Sequence, residues 1–323
     1  MCGLFGLLRS PLAAHPAWAS DALITLGTLA EERGTDSAGV ALLTGRPVTA
    51  GRQAPAAGEL GERYSDLSHD GCRVVKGRGP FSAVWRLDLL PMLDHAPVAF
   101  GHTRWATQGS PHLLDNASPL VVPGPVAGIV ATHNGDVEAG ELRARHPLPP
   151  AAGTTDSEPI FQALAGCRDT GAITAVLASL VGRAALAWVD RDRPDRVHLA
   201  RAALSPLAVA ADTEHNLYWA SNPRWFRDVE RHTRVRFATA VMLREGSYLQ
   251  LGSNPAAPSR VLDRADFTPT ARPWDLDDRV WTGFTAADRE RDRAGLRHRV
   301  VRRAPSTGEP AAAGPGTGEF AVA

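Results

Sequence analysis

The sequence predicts an α+β fold that contains antiparallel sheet. Two observations support this class. Up to Leu180 the chain alternates short apolar runs with segments of helical spacing, and from Arg183 it changes to short apolar strands separated by turn residues. Helices that come early and strands that come late are typical of α+β proteins. With 323 residues, 44% of them hydrophobic, the chain is long enough for one large domain or two small ones.

The amino-terminal part begins with an apolar strand over residues 2–8, which polar residues and a proline follow. A helix is predicted over 16–32, with Gly34 as its left-handed cap. The stretch 45–70 is rich in Gly, Pro and Ala and predicts surface turns with one helix. The remaining elements predicted in this part are strands over 39–43 and 72–76 and a helix over 82–93.

Two buried strands are predicted over 98–103 and 129–133, and each leads into a polar cluster. The first cluster runs from His102 to Gly109, and the second runs from His133 to Asp136. Polar side chains at strand ends usually face a cleft, so we expect both clusters to contribute to a ligand site.

The second half of the chain opens with a capping-box pattern. Thr155 is expected to cap a helix over 156–165, and Glu158 is expected to reach back to it. A further helix is predicted over 172–180. An antiparallel sheet is then predicted from strands over 184–189, 197–200, 207–211, 217–220, 240–243 and 248–251.

The chain is predicted to have three parts. Residues 1–251 form the main domain. Residues 252–303, where prolines and mixed charges become frequent, form an extension that packs on this domain or docks a partner. Trp274 and Trp281 are expected to pack on the main domain. Residues 304–323, rich in Ala, Gly, Pro and Thr, form a disordered tail.

Charge and cysteine content exclude several classes of function. Basic and acidic residues number 35 each, so the net charge does not indicate binding to nucleic acid or to a membrane surface. No apolar stretch has the length of a membrane span, and the amino terminus lacks the pattern of an export signal. Cys2, Cys72 and Cys167 form no CxxC pair, which argues against disulfides and zinc and fits a cytoplasmic location. We expect a small polar ligand and no metal or organic cofactor.

Cys2 directly follows the initiator methionine. Methionine is generally removed when the next residue is small, and its removal would give Cys2 a free α-amine. An ordinary thiol has a pKa of about 8.5 and an α-amine a pKa of about 7.7–8.0, so the two can exchange a proton near neutrality. One residue would then supply both a nucleophile and a base. A cysteine at position two is by itself weak evidence, and the interpretation depends on a substrate site elsewhere.

Five motifs, in their order along the chain, closely resemble those of class II glutamine amidotransferases. They are Cys2-Gly3-Leu4-Phe5-Gly6, Arg33-Gly34-Thr35-Asp36-Ser37-Ala38-Gly39, Gly101-His102-Thr103-Arg104-Trp105-Ala106-Thr107, His133-Asn134-Gly135 and Thr155-Asp156-Ser157-Glu158. The motifs are nearest to the glutaminase domain of glucosamine-6-phosphate synthase, with that of amidophosphoribosyltransferase a step further off. The resemblance covers about residues 2–250. It implies a four-layer αββα Ntn-hydrolase sandwich, with two antiparallel sheets between helical layers.

The resemblance also implies a reaction. Cys2 would attack the side-chain amide of L-glutamine, its α-amine would move the proton, and a glutamyl thioester would form as ammonia leaves. Asn134 is expected to donate its side-chain amide, and Gly135 its backbone N–H, to the oxyanion. A glycine at this position is expected to let the backbone approach the substrate closely.

The remaining matched residues are expected to recognise and surround glutamine. Arg104 would bind the α-carboxylate, and Asp156, held ionised at the start of a helix, would bind the α-ammonium group. Trp105 and Thr107 would shape the wall of the site. Arg33 would orient the site without transferring protons.

Taken singly, these residues fit ordinary roles: a surface ion pair for Arg104, a helix cap for Asp156 and a hairpin turn for Asn134-Gly135. Their joint order behind Cys2 favours the site. Gln108 departs from the family, because glucosamine-6-phosphate synthase has a histidine there.

The residues after 250 are too few and too polar for a sugar-phosphate isomerase or a phosphoribosyltransferase domain. We therefore expect the ammonia to pass to a separate synthase subunit. Two alternatives stay open: a glutamine-binding sensor module without turnover, and an Ntn hydrolase that acts on another amide.

Overall fold

A computed structural model describes residues 2–45, 63–69, 71–254, 256–272 and Asp275. Residues up to Arg272 belong to one unit. Trp274, Trp281 and the predicted tail over 304–323 lie outside the described residues, as does the part of 45–70 between positions 46 and 62.

The described chain contains fourteen strands and seven α-helices. The strands are β1 (Gly3–Leu8), β2 (Ser37–Leu43), β3 (Tyr64–His69), β4 (Cys72–Arg78), β5 (Val98–Arg104), β6 (Leu120–Val122), β7 (Ile129–Val137), β8 (Gly182–Asp190), β9 (Arg196–Arg201), β10 (Ala208–Asp212), β11 (Leu217–Ala220), β12 (Phe237–Met242), β13 (Ser247–Asn254) and β14 (Ala257–Asp266). The helices are α1 (Pro16–Ala30), α2 (Phe81–Val84), α3 (Leu90–His95), α4 (Ala139–Arg145), α5 (Ser157–Leu164), α6 (Thr170–Ser179) and α7 (Arg224–His232).

The strands form two antiparallel sheets. Among the described residues the first sheet has eight strands in the order β12-β10-β11-β1-β5-β2-β4-β3, and the second has six in the order β14-β13-β9-β8-β7-β6. The sheets face each other across an apolar core that contains Leu4 and Trp219 from the first sheet and Val130 and Leu199 from the second. Two antiparallel sheets packed face to face confirm the predicted fold class at the level of its strands.

Helices cover the outer face of each sheet. Leu26 of α1 and Trp225 of α7 share a second apolar core with Phe5 of the first sheet. Phe161 of α5 and Leu177 of α6 share a third core with residues of the second sheet. The predicted four-layer αββα arrangement is therefore confirmed.

Strand β1 lies in the interior of the first sheet, between β11 and β5. All six of its residues are buried. Successive side chains of a strand point to opposite faces, so Phe5 and Leu7 pack under the helices while Leu4 and Leu8 face the other sheet. This burial on both faces explains the continuous apolar run after Cys2, and it fixes the position of Cys2 at the start of a rigid strand.

The late strands do not all belong to one sheet. β8, β9 and β13 lie in the second sheet, whereas β10, β11 and β12 lie in the first. Apolar runs and turn residues identify a strand, but they carry no information on which of two facing sheets receives it. The helix α7 and the strand β14, which pairs with β13, were not predicted from the sequence.

The helix predicted over 82–93 is wrong, because the segment is broken. α2 ends at Val84, Trp85 and Arg86 have extended backbone, and α3 begins at Leu90. Pro91 opposes a continuous helix over this segment. Its ring lacks an N–H and clashes with the carbonyl one turn earlier in a helix interior, whereas proline is tolerated in the first turn, where the structure has it.

Gly34 is not a left-handed cap. α1 is followed by a short 3₁₀ turn, Glu31–Arg33, and Gly34 has extended backbone with φ 168° and ψ 144°. The requirement for glycine is steric, because a Cβ here would lie 2.4 Å from the backbone carbon of Arg104. Gly34 thus allows this turn to pack against the end of β5.

Within 45–70 the structure describes a strand, β3, where the sequence predicted turns and a helix. β3 pairs with β4 at the edge of the first sheet. Its sequence, YSDLSH, is polar because most of its residues are half-buried, so the apolar run that identifies a buried strand is missing. In the part of the chain that the structure describes, no helix is long and apolar enough to cross a membrane.

Candidate active site

Cys2 lies at the point where β1 meets the end of β5. Gly3 pairs with Thr103, and a Cβ on Gly3 would lie 2.7 Å from the Thr103 hydroxyl, so a glycine is needed for this approach. The Cys2 carbonyl accepts a hydrogen bond from Nε of Arg33 at 2.8 Å. The Cys2 thiol faces the Trp105 carbonyl at 3.6 Å. The nucleophile candidate is therefore held through its backbone while its sulfur faces the first residue after β5.

The backbone nitrogen of Cys2 donates to Oδ1 of Asn134 at 3.1 Å. In the full chain this atom is the peptide nitrogen after Met1, and it stands for the α-amine that removal of Met1 would create. Nδ2 of Asn134 lies 3.4 Å from the Ser221 hydroxyl, which also accepts from the Leu4 N–H at 2.8 Å. Ser221 follows β11 and was not predicted as part of the site.

Asn134 and Gly135 lie inside β7, paired with β8, and do not form a hairpin turn. Asn134 is fully buried. A Cβ on Gly135 would lie 1.9 Å from the Arg183 carbonyl oxygen. From the sequence, this glycine was expected to allow close approach to a substrate, whereas the structure shows that the neighbouring strand already requires it.

Arg104 is the last residue of β5, and its guanidinium lies under the loop that follows. It donates to the carbonyls of Gln108 at 2.7 Å, Gly109 at 3.2 Å and Ser110 at 3.2 Å. We name residues 105–110 the site loop. Arg104 holds this loop by its backbone, so the structure gives the arginine a role in addition to the predicted recognition of a carboxylate.

Trp105 and Thr107 lie in the site loop and are exposed. The Ala106 N–H donates to a carboxylate oxygen of Asp36 at 2.7 Å, which ties the loop to the turn before β2. The side-chain amide of Gln108 donates to the Asp136 carboxylate and, at 3.2 Å, to the Val137 carbonyl. Gln108, the departure from the family pattern, thus connects the site loop to the end of β7.

The capping box predicted at residues 155–158 is wrong. α5 begins at Ser157, and the buried hydroxyl of Thr155 has no hydrogen-bond partner in the described part of the chain. The Glu158 carboxylate accepts from the N–H groups of Ala152 at 2.9 Å and Gly153 at 2.8 Å, not from Thr155. The loop before α5 folds back and offers these donors to Glu158, which a four-residue pattern does not reveal.

Asp156 is buried, and its carboxylate accepts from the Val137 N–H at 2.8 Å. Burial raises the pKa of Asp156, and the nearby His133 and the Val137 hydrogen bond oppose this shift. From the sequence, the helix start was expected to favour the ionised form of Asp156. The structure gives the opposite direction, because the cost of removing the carboxylate from water is larger than the stabilisation from its neighbours.

Two buried histidines complete the floor of the site. Nε2 of His102 lies 2.9 Å from the His133 carbonyl, and burial lowers the pKa of His102 to about 3. Because a carbonyl only accepts, Nε2 carries the proton and Nδ1 is an acceptor, which has no hydrogen-bond partner among the described residues. Burial also lowers the pKa of His133, whose Nδ1 lies 3.0 Å from the Ser157 hydroxyl. Both rings are therefore neutral near pH 7.

These groups line one pocket. From the predicted site it includes Cys2, Arg104, Trp105, Thr107, Gly135 and Asp156; it also includes His102, Gln108, Asn116, Ser118, His133, Thr155 and Ser157. Asn134 and Arg33 lie behind Cys2 and contact its backbone. Within the described ranges, no group of three or more potential metal ligands comes together.

Comparison with known proteins shows which proteins the chain resembles. No protein-family model matches the chain. The chain is 28% identical over 248 residues to glutamine–fructose-6-phosphate aminotransferase of Pyrobaculum aerophilum, a match that covers 73% of this chain and 35% of that protein. It is 32% identical over 173 residues to amidophosphoribosyltransferase of Rattus norvegicus, covering 51% of this chain and 28% of that protein.

A solved structure shares the fold. Glutamine phosphoribosylpyrophosphate amidotransferase from B. subtilis, complexed with ADP and GMP, superimposes with a TM-score of 0.56 at 18% identity, over 83% of this chain and 49% of that chain. The chain spans about a third of the length of the curated relatives it matches and about half of this structure.

A sandwich of two antiparallel sheets between helices, with a cysteine at the start of an interior strand, defines an Ntn-hydrolase-like fold. Within this fold class, the sequence matches and the motifs at the pocket then indicate the family. The chain is a class II glutamine amidotransferase domain, homologous to the amidotransferase domains of glutamine–fructose-6-phosphate aminotransferase and amidophosphoribosyltransferase.

Proposed function

We propose that the chain hydrolyses the side-chain amide of L-glutamine to glutamate and ammonia, with Cys2 as the nucleophile. The main support for the proposal is the position of Cys2. Its backbone nitrogen donates a hydrogen bond to Asn134, and Cys2 lines a pocket that also contains Arg104 and Asp156. The sulfur forms a bond to the amide carbon, and the thiol proton passes through the α-amine to the leaving nitrogen. The C–N bond breaks and ammonia leaves. Water then adds to the thioester, the C–S bond breaks, and glutamate leaves.

The oxyanion of each tetrahedral intermediate would be stabilised by Asn134 and by the Gly135 N–H. Asn134 is suited to this role because it is fully buried in a paired strand and already contacts the Cys2 nitrogen, so it needs little rearrangement during the reaction. The neutral His102 adds no competing positive charge to the pocket.

Recognition of glutamine would use its two charged ends. The Arg104 guanidinium has more N–H donors than its three bonds to the site loop use, so it can hold the loop and still bind a carboxylate. The buried Asp156 would bind the α-ammonium group. Trp105 and Thr107 would cover the ligand from the exposed side.

We further propose that the ammonia passes to a separate synthase subunit in the cytoplasm, and that residues 252–303 take part in docking it. The composition of this segment supports the proposal, since it differs from that of the main domain. Co-purification of a synthase with a carboxyl-terminally tagged chain tests this step, and an isolated chain with full, unregulated turnover would contradict it. A binding sensor and an Ntn hydrolase for another amide are the alternatives.

The active protein is expected to begin at Cys2. Intact mass should show loss of Met1, and release of glutamate and ammonia should accompany it. A tag fused before Cys2 blocks the amine and should abolish turnover, whereas the same tag at the carboxyl terminus should not. Full activity in a protein that retains Met1 would show that the α-amine is not the base.

Replacement of Asp156 by asparagine is expected to raise KM for glutamine by about 10²-fold, since a buried charge-assisted contact is worth roughly 1.5–3 kcal/mol. Because burial raises the pKa of Asp156, its carboxylate should be protonated at a higher pH than the carboxylate of an exposed aspartate. On acidification, the wild-type protein should lose its affinity for glutamine in this pH range. The affinity of the Asp156→Asn variant should not show this loss on acidification.

Steady-state KM measured across pH in both proteins tests the role of Asp156. Alkylation of Cys2 by iodoacetamide serves as the control, and it should proceed at a similar rate in both. An unchanged KM in the variant would favour an amide substrate without an α-ammonium group.

A further inference from the structure

The segment after β14 returns to the active site. The Gly182 N–H donates to the Thr270 carbonyl at 2.9 Å, and Thr270 forms a parallel bridge with Val181. The Val181 carbonyl in turn accepts from the Glu138 N–H at 2.9 Å. These bonds bring residues 270–272 against the end of β7, directly after the residues that line the pocket.

Arg272 is the charged group that this segment supplies. Its buried guanidinium donates to the Asp136 carboxylate at 2.9 Å, to the Asp136 carbonyl at 3.1 Å and to the Glu138 carboxylate at 2.9 Å. One of these charge-assisted bonds holds the Asp136 carboxylate, and the bond to the Asp136 carbonyl holds the backbone of the same residue. Without the cation, two carboxylates would face each other at the end of β7.

The Asp136 carboxylate has a second partner in the site loop. Its Oδ2 accepts from Arg272, and its Oδ1 accepts from the side-chain amide of Gln108. Gln108 also donates to the Val137 carbonyl, while the N–H of Val137 donates to Asp156. A continuous chain of hydrogen bonds therefore runs from Arg272 to the site loop, and it shares Val137 with the carboxylate proposed to bind ammonium.

We propose that Arg272 is a positioning residue: by holding Asp136, it fixes Gln108 and keeps the site loop in place over the pocket. The proposed effect on the site loop is inferred from these hydrogen bonds alone. The effect on catalysis rests on the proposed function, because Arg104 and Thr107 can bind and cover glutamine only when the loop is ordered. A loosened loop must be ordered on binding, and that cost appears in affinity more than in the chemical step.

Arg272→Gln tests the proposal in two independent ways. Hydrogen exchange of the site-loop amides should become about tenfold faster, while the amides of β1 and β5 stay protected. KM for glutamine should rise by about tenfold with kcat within about twofold, as expected for loss of a charged hydrogen bond that acts through positioning. Arg272→Lys, which keeps the charge, should recover part of both effects.

Two further variants separate positioning from general damage. Arg145→Gln removes an exposed arginine of α4, which bonds Ser179 and Glu141, and should leave site-loop exchange and KM unchanged. In the double variant Arg272→Gln with Asp136→Asn, the repulsion between the Asp136 and Glu138 carboxylates is gone, and KM should lie closer to wild type than in Arg272→Gln. Failure of this partial recovery would contradict the charge argument.

The proposal would be overturned if the site-loop amides of Arg272→Gln exchanged at the wild-type rate. A uniform rise in amide exchange across both sheets would also overturn it. The exchange measurement needs no turnover. If the wild-type protein released no glutamate, the proposed function would fall, while the exchange data would still decide whether Arg272 holds the loop.

Discussion

Cys2→Ala is expected to reduce glutamate release by on the order of 10⁴–10⁶, to the background rate, because no other described residue of the pocket carries a thiol that can form the thioester. The fold should persist. The Cys2 side chain contributes one thiol contact to the Trp105 carbonyl, whereas the backbone contacts to Arg33 and Asn134 do not depend on it. The melting temperature should therefore stay close to that of the wild type while turnover disappears.

The other two cysteines provide the matched controls. Burial raises the pKa of Cys72 to about 11 and also raises that of Cys167, so both thiols stay protonated and weakly nucleophilic at neutral pH. Cys167→Ala is the better control because Cys167 is only half-buried, and it should keep full turnover. Normal glutamate release by Cys2→Ala, or its loss in Cys167→Ala with the fold intact, would contradict the assignment of the nucleophile.

Asn134→Ala is expected to lower kcat by about 10²–10³, the usual cost of removing one oxyanion donor. KM should change much less, since the donor acts on charge that develops during the reaction. The substitution also removes the acceptor of the Cys2 nitrogen from a fully buried position. We therefore expect the free energy of unfolding to fall by about 1–3 kcal/mol, which denaturant titration measures separately.

Two variants distinguish the donor role of Asn134 from simple damage to β7. Asn134→Asp keeps the shape and the acceptor for the Cys2 nitrogen but cannot donate when ionised, so it should be as slow as Asn134→Ala. Thr132→Val alters a buried polar residue of the same strand, where the hydroxyl bonds the Ala187 carbonyl, and should leave kcat unchanged. Rapid turnover by Asn134→Asp would show that the oxyanion is stabilised elsewhere.

The sequence was most informative where the physical cause is local. Apolar runs identified β1 and the first residues of β5 and β7, because strands buried on both faces are filled mainly by apolar side chains. The sequence was least informative where the structure depends on contacts between segments that are distant in the chain. The polar edge strand β3 shows no apolar pattern, and the division of the late strands between the two sheets is set by tertiary packing.

The resemblance brought the main site residues together, but it did not reveal the contacts between them. Cys2, Arg104 and Asp156 come from different elements and line one pocket. The raised pKa of Asp156, the binding of Glu158 to backbone N–H groups of the preceding loop and the contact of Ser221 with Asn134 depend on tertiary packing. Residue types and spacing do not specify such contacts, since each one joins segments that are distant in sequence or that fold back on themselves.

The most direct test of the central claim is detection of the covalent intermediate. Protein that begins at Cys2 should be mixed with glutamine, quenched in acid within the first turnover and analysed by intact and peptide mass. We expect a glutamyl adduct on the peptide that starts with Cys2, which hydroxylamine removes, and no adduct in Cys2→Ala. Release of glutamate without an adduct at Cys2, or an adduct on another residue, would contradict it.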